Sequence, residues 1–378
     1  MTAISNIKNQ KSKNLTSSPQ SPYAHPKLYA KEGVSSRLLN IGLIGFGYWG
    51  PNILRNFLQL SPEVRVKIIS DINPVVLKDI KTHYPSIQTT SDSTDVLHNP
   101  DIDAVAIVTP VSTHFSLAKN ALQKGKHVLI EKPMTITSKD SVKLTALAHK
   151  NKKILMVDHT FLYTPAVEKM KEIVDSGDLG TIITIDTTRT NLGLLQKDTN
   201  VIYDLACHDL SIVDFILGTL PISVSATGMR HEKIHQESVA HLSLWYQNNV
   251  FVHSHVSWLS PIKIRMIVII GTKKMLVYDD MQPSEKIKIY DKSVSVSEDK
   301  ENLNQLRIGY RTGDAVAPNL AIREGLAGVT EAFYHACISG KKPITDGENG
   351  TRIVRILEAA TTSIRSNGKT IRIEKARP

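Results

Sequence analysis

Cysteine is nearly absent: Cys207 and Cys337 are the only two in 378 residues, and they have no paired spacing. That excludes a disulfide framework and a cysteine-rich zinc site, and it suits a reducing compartment such as the cytoplasm. Long apolar runs are missing as well. The longest, such as Met266 to Ile270, are strand-sized, far short of the ~20 residues a membrane helix requires, so no membrane partner is expected. The first residues carry no apolar core and no small-residue cleavage site of a secretory leader. No internal repeat appears, and no acidic or cysteine partner stands at metal spacing from His253 and His255, so no metal is expected.

What is present describes a folded, two-domain chain. Its length is too great for one ordinary core, and a hydrophobic share of 41% with 22% charged residues is that of a globular protein. The formal charge is +10. Half of that excess lies in residues 1–38, where Lys8, Lys11, Lys13, Lys27, Lys31 and Arg37 face only Glu32. This stretch, rich in Ser, Asn, Gln and Pro, buries too little apolar surface to offset its ordering entropy and reads as a disordered, solvated basic arm. A nucleic-acid partner is therefore not expected. The body is only mildly basic, which fits a polyanionic cofactor and substrate.

From Leu38 the pattern alternates strand and helix. Strands are expected over 38–44, 66–70, 103–108, 127–130 and 154–157, with helices over 52–60, 74–84, 116–124 and 138–150, the last capped by Ser138. Asp103-Ala104-Val105-Ala106-Ile107-Val108 is a continuous apolar run, as in a strand covered on both faces. This rhythm implies a parallel, doubly wound sheet. The character changes after about Phe161. A helix over 165–176 leads into longer strands over 181–185, 223–229, 239–246, 250–258, 263–270 and 274–278, and helical periodicity returns over 322–339 and 350–365. The expected fold class is α/β: a Rossmann domain over 39–160, then an α+β domain over 161–378 with a large, mostly antiparallel, open-faced sheet. The final helix and strand can pack back on the first domain.

Gly45-Phe46-Gly47-Tyr48-Trp49-Gly50 is a G-x-G-x-x-G sequence between the first strand and the first helix. Gly45 permits the tight turn, Gly47 lets a pyrophosphate approach the backbone, and Gly50 lets helix and sheet pack closely. The helix N-terminus then offers free N–H groups to the phosphate. Asp71 ends the second strand, placed to accept hydrogen bonds from ribose hydroxyls and to repel a 2′-phosphate. This predicts NAD rather than NADP. Thr109 and Pro110 follow the next sheet strand at its ligand-binding edge, with Thr113 able to reach ribose or nicotinamide groups. His114 is either a cofactor contact or a helix residue with no ligand.

Glu131-Lys132-Pro133 ends the following strand. Pro133 holds Lys132 extended, and an ammonium there can stabilise alkoxide character on a reacting oxygen. Asp204 and His208 are four apart and share a face if helical. An Asp orienting a His sets its tautomer and raises its basicity, and His is a natural base for a hydroxyl near neutral pH. Each motif alone has a bland reading: a surface turn for one, a helix-surface ion pair for the other.

Taken in order, Gly45-x-Gly47-x-x-Gly50, Thr109-Pro110 with His114, Gly125-Lys126-His127-Val128 with Glu131-Lys132-Pro133, and Asp204-x-x-x-His208 resemble the Gfo/Idh/MocA oxidoreductases. The resemblance covers roughly residues 38–375. It implies a Rossmann domain plus an open-sheet domain, a bound NAD contacted by Gly45 through Gly50, Asp71, Thr109, Pro110, His114, Glu131 and Lys132, and chemistry at Lys132 and His208 with Asp204 in support. It also implies a homo-oligomer, dimer or tetramer, formed through the open sheet.

A narrower resemblance, to bacterial UDP-N-acetylglucosamine 3-dehydrogenases, rests on four segments: His159-Thr160-Phe161-Leu162-Tyr163-x-Pro165, Arg189-Thr190-Asn191-Leu192-Gly193, Val256-Ser257-Trp258-Leu259-Ser260-Pro261, and Lys274 through Asp280. It implies oxidation of a nucleotide-sugar C3 hydroxyl to a 3-keto sugar, passed on to a pyridoxal-phosphate aminotransferase for 3-amino-sugar and surface-polysaccharide synthesis. Arg189 and Asn191 are candidate contacts to the diphosphate or sugar, or else strand-end residues in solvent. Tyr163 and His159 either contact the sugar or serve packing or a helix cap. Ala206-Cys207 departs from the Ala-Pro common before the His, without altering the Asp-His spacing. Two rival functions remain: an inositol-type polyol dehydrogenase, and a non-catalytic NAD or sugar sensor, against which the intact Lys132, Asp204 and His208 argue.

Overall fold

The computed structural model describes residues 37–193, 198–232, 235–298 and 306–374. Most of the basic arm, and the last four residues, lie outside that range.

The first half alternates β1 (Leu39–Ile44), α1 (Gly50–Leu58), β2 (Val64–Ser70), α2 (Pro74–His83), β3 (Gln88–Thr90), α3 (Ser93–Leu97), β4 (Ala104–Ile107), α4 (Val111–Gln123), β5 (His127–Glu131), α5 (Ser138–Lys150) and β6 (Leu155–Asp158). The six strands form one parallel sheet in the order β3-β2-β1-β4-β5-β6. The reversal between β1 and β4 opens a crevice at the carboxyl ends of the strands, where ligands bind in such sheets. The sheet buries Val105, Ile107, Val128, Ile130, Leu155 and Val157 against Ala118, Leu122, Leu144 and Ala148. Each large side chain so covered contributes roughly 1.5–3 kcal/mol.

Helix starts follow side-chain caps. Asn73 accepts from the Val75 N–H, Asp92 from Thr94, and Thr137 from Asp140. Thr137, not Ser138, is thus the cap of α5; Ser138 is its first helical residue and gives its N–H to Glu358. The polar stretch containing β3 and α3 has too few apolar residues for either element to stand out by periodicity.

The second half runs α6 (Pro165–Asp175), β7 (Ile182–Leu192), a π-helical turn (Ile202–Ala206) continuing into α7 (Cys207–Leu217), β8 (Ser223–Arg230), β9 (Glu237–Trp245), β10 (Phe251–Ser257), β11 (Leu259–Gly271), β12 (Met275–Asp279), β13 (Ile287–Glu298), β14 (Leu306–Val316), α8 (Gly325–Ser339), α9 (Gly347–Arg365) and β15 (Ile371–Arg372). Nine strands form the second sheet, in the order β14-β13-β12-β11-β7-β10-β9-β8-β15. Every pairing is antiparallel except that of β7 with β10. α9 packs on α5 and β6, while β15 pairs with β8 of the second sheet.

Alternation sorts the faces of this sheet. Ile185, Thr187, Arg189, Ile267, Ile269, Leu276 and Tyr278 are buried, and Met266, Val268, Ile270, Met275 and Val277 between them are half-buried on the opposite face. His241 and His255 stack there, 4.3 Å apart and nearly parallel. No helix among the described residues is long and apolar enough to cross a membrane.

Candidate active site

The glycine turn between β1 and α1 is built to receive a ligand. Gly45 has φ +91°, and a Cβ there would stand 2.5 Å from the Val108 carbonyl oxygen, so no other residue fits. A Cβ on Gly47 would meet nothing within 4 Å. The space over that backbone is open, as a pyrophosphate requires. Asp71 closes the turn from below: one carboxylate oxygen accepts the Phe46 N–H at 2.6 Å and the other the Asn73 N–H at 2.8 Å. The residues present therefore fit a dinucleotide. Valine at position 47 enters free space in the folded chain but collides with a bound diphosphate. Gly47→Val is expected to keep its thermal midpoint within about 2 °C while NAD affinity falls at least ~10-fold, or about 1.4 kcal/mol. Titration of NADH fluorescence beside a melting curve checks this, and unchanged affinity would remove Gly47 from the cofactor site.

Tyr48 is exposed. Trp49 turns its indole N–H toward Asp158 at 3.4 Å. Thr109 shares a 2.7 Å hydrogen bond with Thr113, and Pro110 precedes α4. His114 is not available to a cofactor. It is 1% exposed, and its ring nitrogens lie 3.0 Å from the Pro133 carbonyl and 2.8 Å from the Thr109 carbonyl. It braces the two loops that flank the crevice, and burial holds its pKa below the ordinary value.

Lys132 follows directly on β5, and its bond to Pro133 is cis. Its ammonium donates to Asp204 twice: to the backbone carbonyl at 2.9 Å and to carboxylate Oδ1 at 3.0 Å. Oδ2 of the same carboxylate accepts the Trp258 indole N–H at 2.9 Å. Burial works against the ammonium, but Asp204, Cys207 and Glu131 outweigh it and raise the Lys132 pKa. The lysine stays charged.

The expected pairing of Asp204 with His208 is corrected by this geometry. Asp204 lies in the π-helical turn rather than in α7, both its oxygens serve Lys132 and Trp258, and His208 Nδ1 is buried without a partner. Asp204 orients the lysine. His208 is held instead by the edge of the Phe161 ring, centroids 5.1 Å apart at 74°. Burial, followed by the positive charges of Lys132, Arg189 and Arg265, pushes the imidazole well below its ordinary pKa. At neutral pH it is an uncharged base.

Arg189 is corrected as well. It is 3% exposed, and its Nε and Nη2 clasp Asp209 at 2.6–3.0 Å, with the guanidinium over Phe161 at 4.5 Å. Its charge is cancelled inside the protein and its fork is not free for a diphosphate. Tyr163 is likewise buried, its hydroxyl 3.1 Å from Thr345 Oγ1, and it packs rather than facing a sugar. Asn191 remains half-buried with its Oδ1 unpartnered, and both ring nitrogens of His159 are buried without a partner. Burial, reinforced by Lys132, takes the His159 pKa down to about 3.

Beside Lys132, Glu131 and Asp158 are direct cross-strand partners. Burial raises both carboxyl pKa values, and for Glu131 the proximity of Asp158 adds to it. Among the described residues no group of three His, Cys, Asp or Glu side chains is arranged to hold a metal ion.

Sequence reasoning missed the roles of Trp258, Phe161 and Asp209. Trp258 carried a signal, since an indole buried to 1% must find an acceptor. Phe161 and Asp209 carried none, because their partners come from elements remote in sequence.

Residues 39–159 match the family described as the oxidoreductase family with an NAD-binding Rossmann fold, and residues 167–277 match the GFO/IDH/MocA C-terminal domain. A UDP-N-acetylglucosamine 3-dehydrogenase of Acidithiobacillus ferrooxidans is 26% identical over 264 residues, 67% of this chain and 76% of that protein. An inositol 2-dehydrogenase of Burkholderia multivorans is 28% identical over 185 residues, 48% of this chain and 55% of that protein. The chain spans about half the length of most curated relatives it matches. The solved structure of the Acidithiobacillus enzyme superposes with a TM-score of 0.74 at 22% identity, covering 88% of this chain and 99% of that one.

Proposed function

Because the chain belongs to the GFO/IDH/MocA oxidoreductase family and carries its NAD-binding Rossmann domain, we propose that it oxidises a secondary hydroxyl of a sugar with NAD, and that the sugar is nucleotide-linked and oxidised at C3. One observation carries this reading: an ammonium fixed by Asp204 acts on a neutral, unpartnered imidazole at the carboxyl edge of the dinucleotide sheet.

Bound NAD supplies the hydride acceptor. His208, uncharged at neutral pH, accepts the hydroxyl proton. Lys132 donates a hydrogen bond to the oxygen as negative charge develops there. Asp204 and Trp258 keep the ammonium aimed while this happens, and Phe161 holds the imidazole plane.

The test is NADH absorbance with UDP-sugars, free polyols and both dinucleotides. Turnover of a UDP-sugar with NAD, inhibited by UDP alone, is the expected result. Turnover of a free polyol, indifferent to UDP, would replace the substrate by an inositol-type one; flat traces throughout would favour the sensor. Equal use of NADP would contradict the role given to Asp71. On this reading the enzyme works in the cytoplasm and feeds an aminotransferase. The half-buried apolar row of Met266, Val268, Ile270, Met275 and Val277 supports assembly of copies through the second sheet. A monomer mass by light scattering would exclude that assembly.

A further inference from the structure

The sheet side of the site holds a positive charge that the proton transfer does not use. Arg265 on β11 is the direct cross-strand partner of Arg189 on β7, and both guanidiniums lie against Phe161, 5.7 Å and 4.5 Å from its centroid. Phe161 in turn meets His208 edge-on. The two arginines differ in how they are neutralised. Arg189 has Asp209 to itself. Arg265 shares its counter-ion: its Nη1 reaches Asp280 Oδ2 at 3.2 Å, while Asp280 Oδ1 accepts from Lys286 at 2.7 Å and the Asp280 carbonyl accepts from the same ammonium at 3.0 Å.

Two cations thus converge on one carboxylate, and one positive charge is left over. The carboxylate is the covered member, 16% exposed, and the cations are half-buried, their side chains 35% and 32% exposed. Among the described residues, the Nε and Nη2 groups of Arg265 have no acceptor. A planar guanidinium fork in that state suits the paired oxygens of a phosphate or carboxylate.

We propose that Arg265 and Lys286 form the subsite for an anionic group of the substrate, beside Phe161, in place of the buried Arg189. The inference rests on the reading that His208 faces the reacting carbon. The anion is either the diphosphate of a nucleotide sugar or the carboxylate of a uronic acid, and the chemistry of recognition is the same.

The NAD-loaded protein is titrated by calorimetry with UDP and, separately, with glucuronate. Arg265→Gln is expected to weaken one of them at least tenfold, Arg265→Lys less so, and Lys286→Gln several-fold, while NAD affinity, which reports the intact fold, stays within twofold. Loss confined to UDP assigns the phosphate; loss confined to glucuronate assigns the carboxylate. Affinities for both ligands within twofold of the parent protein would overturn the subsite. If the catalytic reading failed, UDP binding that depends on Arg265 would still stand, so the two failures are distinguishable.

Discussion

Lys132→Met should lower turnover by about a thousandfold while leaving NAD bound. Methionine keeps the stem that packs beside β5 but removes the donor that the proposed mechanism places on the reacting oxygen. Loss of one such donor in a preorganised site typically costs ~10²–10³ in rate. Proton transfer by His208 is worth a further ~10²–10⁴, and it becomes harder when the oxygen it deprotonates is no longer stabilised. On the proposed reading the dinucleotide would occupy the glycine turn beside Asp71, away from Lys132, so NADH fluorescence should titrate within about threefold of the parent protein. Turnover within a factor of ten of the parent would remove Lys132 from the chemistry. Loss of NAD binding together with turnover would recast it as a cofactor anchor.

Asp204→Ala carries the second large effect, and it separates two mechanisms. The Lys132–Asp204 pair is mostly buried, its side chains 18% and 17% exposed. Removing one partner of a buried pair typically costs ~3–5 kcal/mol, because the other charge is left uncompensated. Asp204 is also one of the charges that hold the lysine pKa up against burial. Without it the ammonium loses its proton at lower pH. The alkaline limb of the kcat/KM profile should therefore shift downward. The acid limb belongs to His208, whose depressed pKa comes first from burial and then from Lys132, Arg189 and Arg265. That limb lies below pH 6.5, and as Asp204 does not touch the ring it should move far less. Asp204→Asn, which keeps the shape and the acceptor for Trp258, is the variant to measure if the alanine form unfolds. An acid limb that moves while the alkaline limb stays would instead mark Asp204 as tuning its helical neighbour His208.

Much of the fold was legible because its signals are local. Strand-helix alternation, the apolar run at Ala104 to Ile107, and glycines at 45, 47 and 50 each report a backbone requirement within a few residues, and the parallel sheet follows from them. The site was legible only in part. Lys132 and His208 announced themselves as residue types at the right strand end and helix, but the company they keep did not. Asp204 and His208, four apart, look like partners by α-helical spacing, yet a π-helical turn lies between Ile202 and Ala206. A lysine just after β5 and a tryptophan just after β10 then take both carboxylate oxygens.

By itself the sequence determined where each chemical group sits along the chain, and hence the dinucleotide fold and the two residues proposed as the acid-base pair. Only the tertiary structure decided which charges cancel. Arg189 and Arg265 are indistinguishable as arginines in β-strands. One is silenced by Asp209, twenty residues away on α7, and the other is left half-buried with only a share of a carboxylate. Pairing of that kind depends on side-chain direction across a sheet and on burial, and neither is encoded in any short stretch of residues.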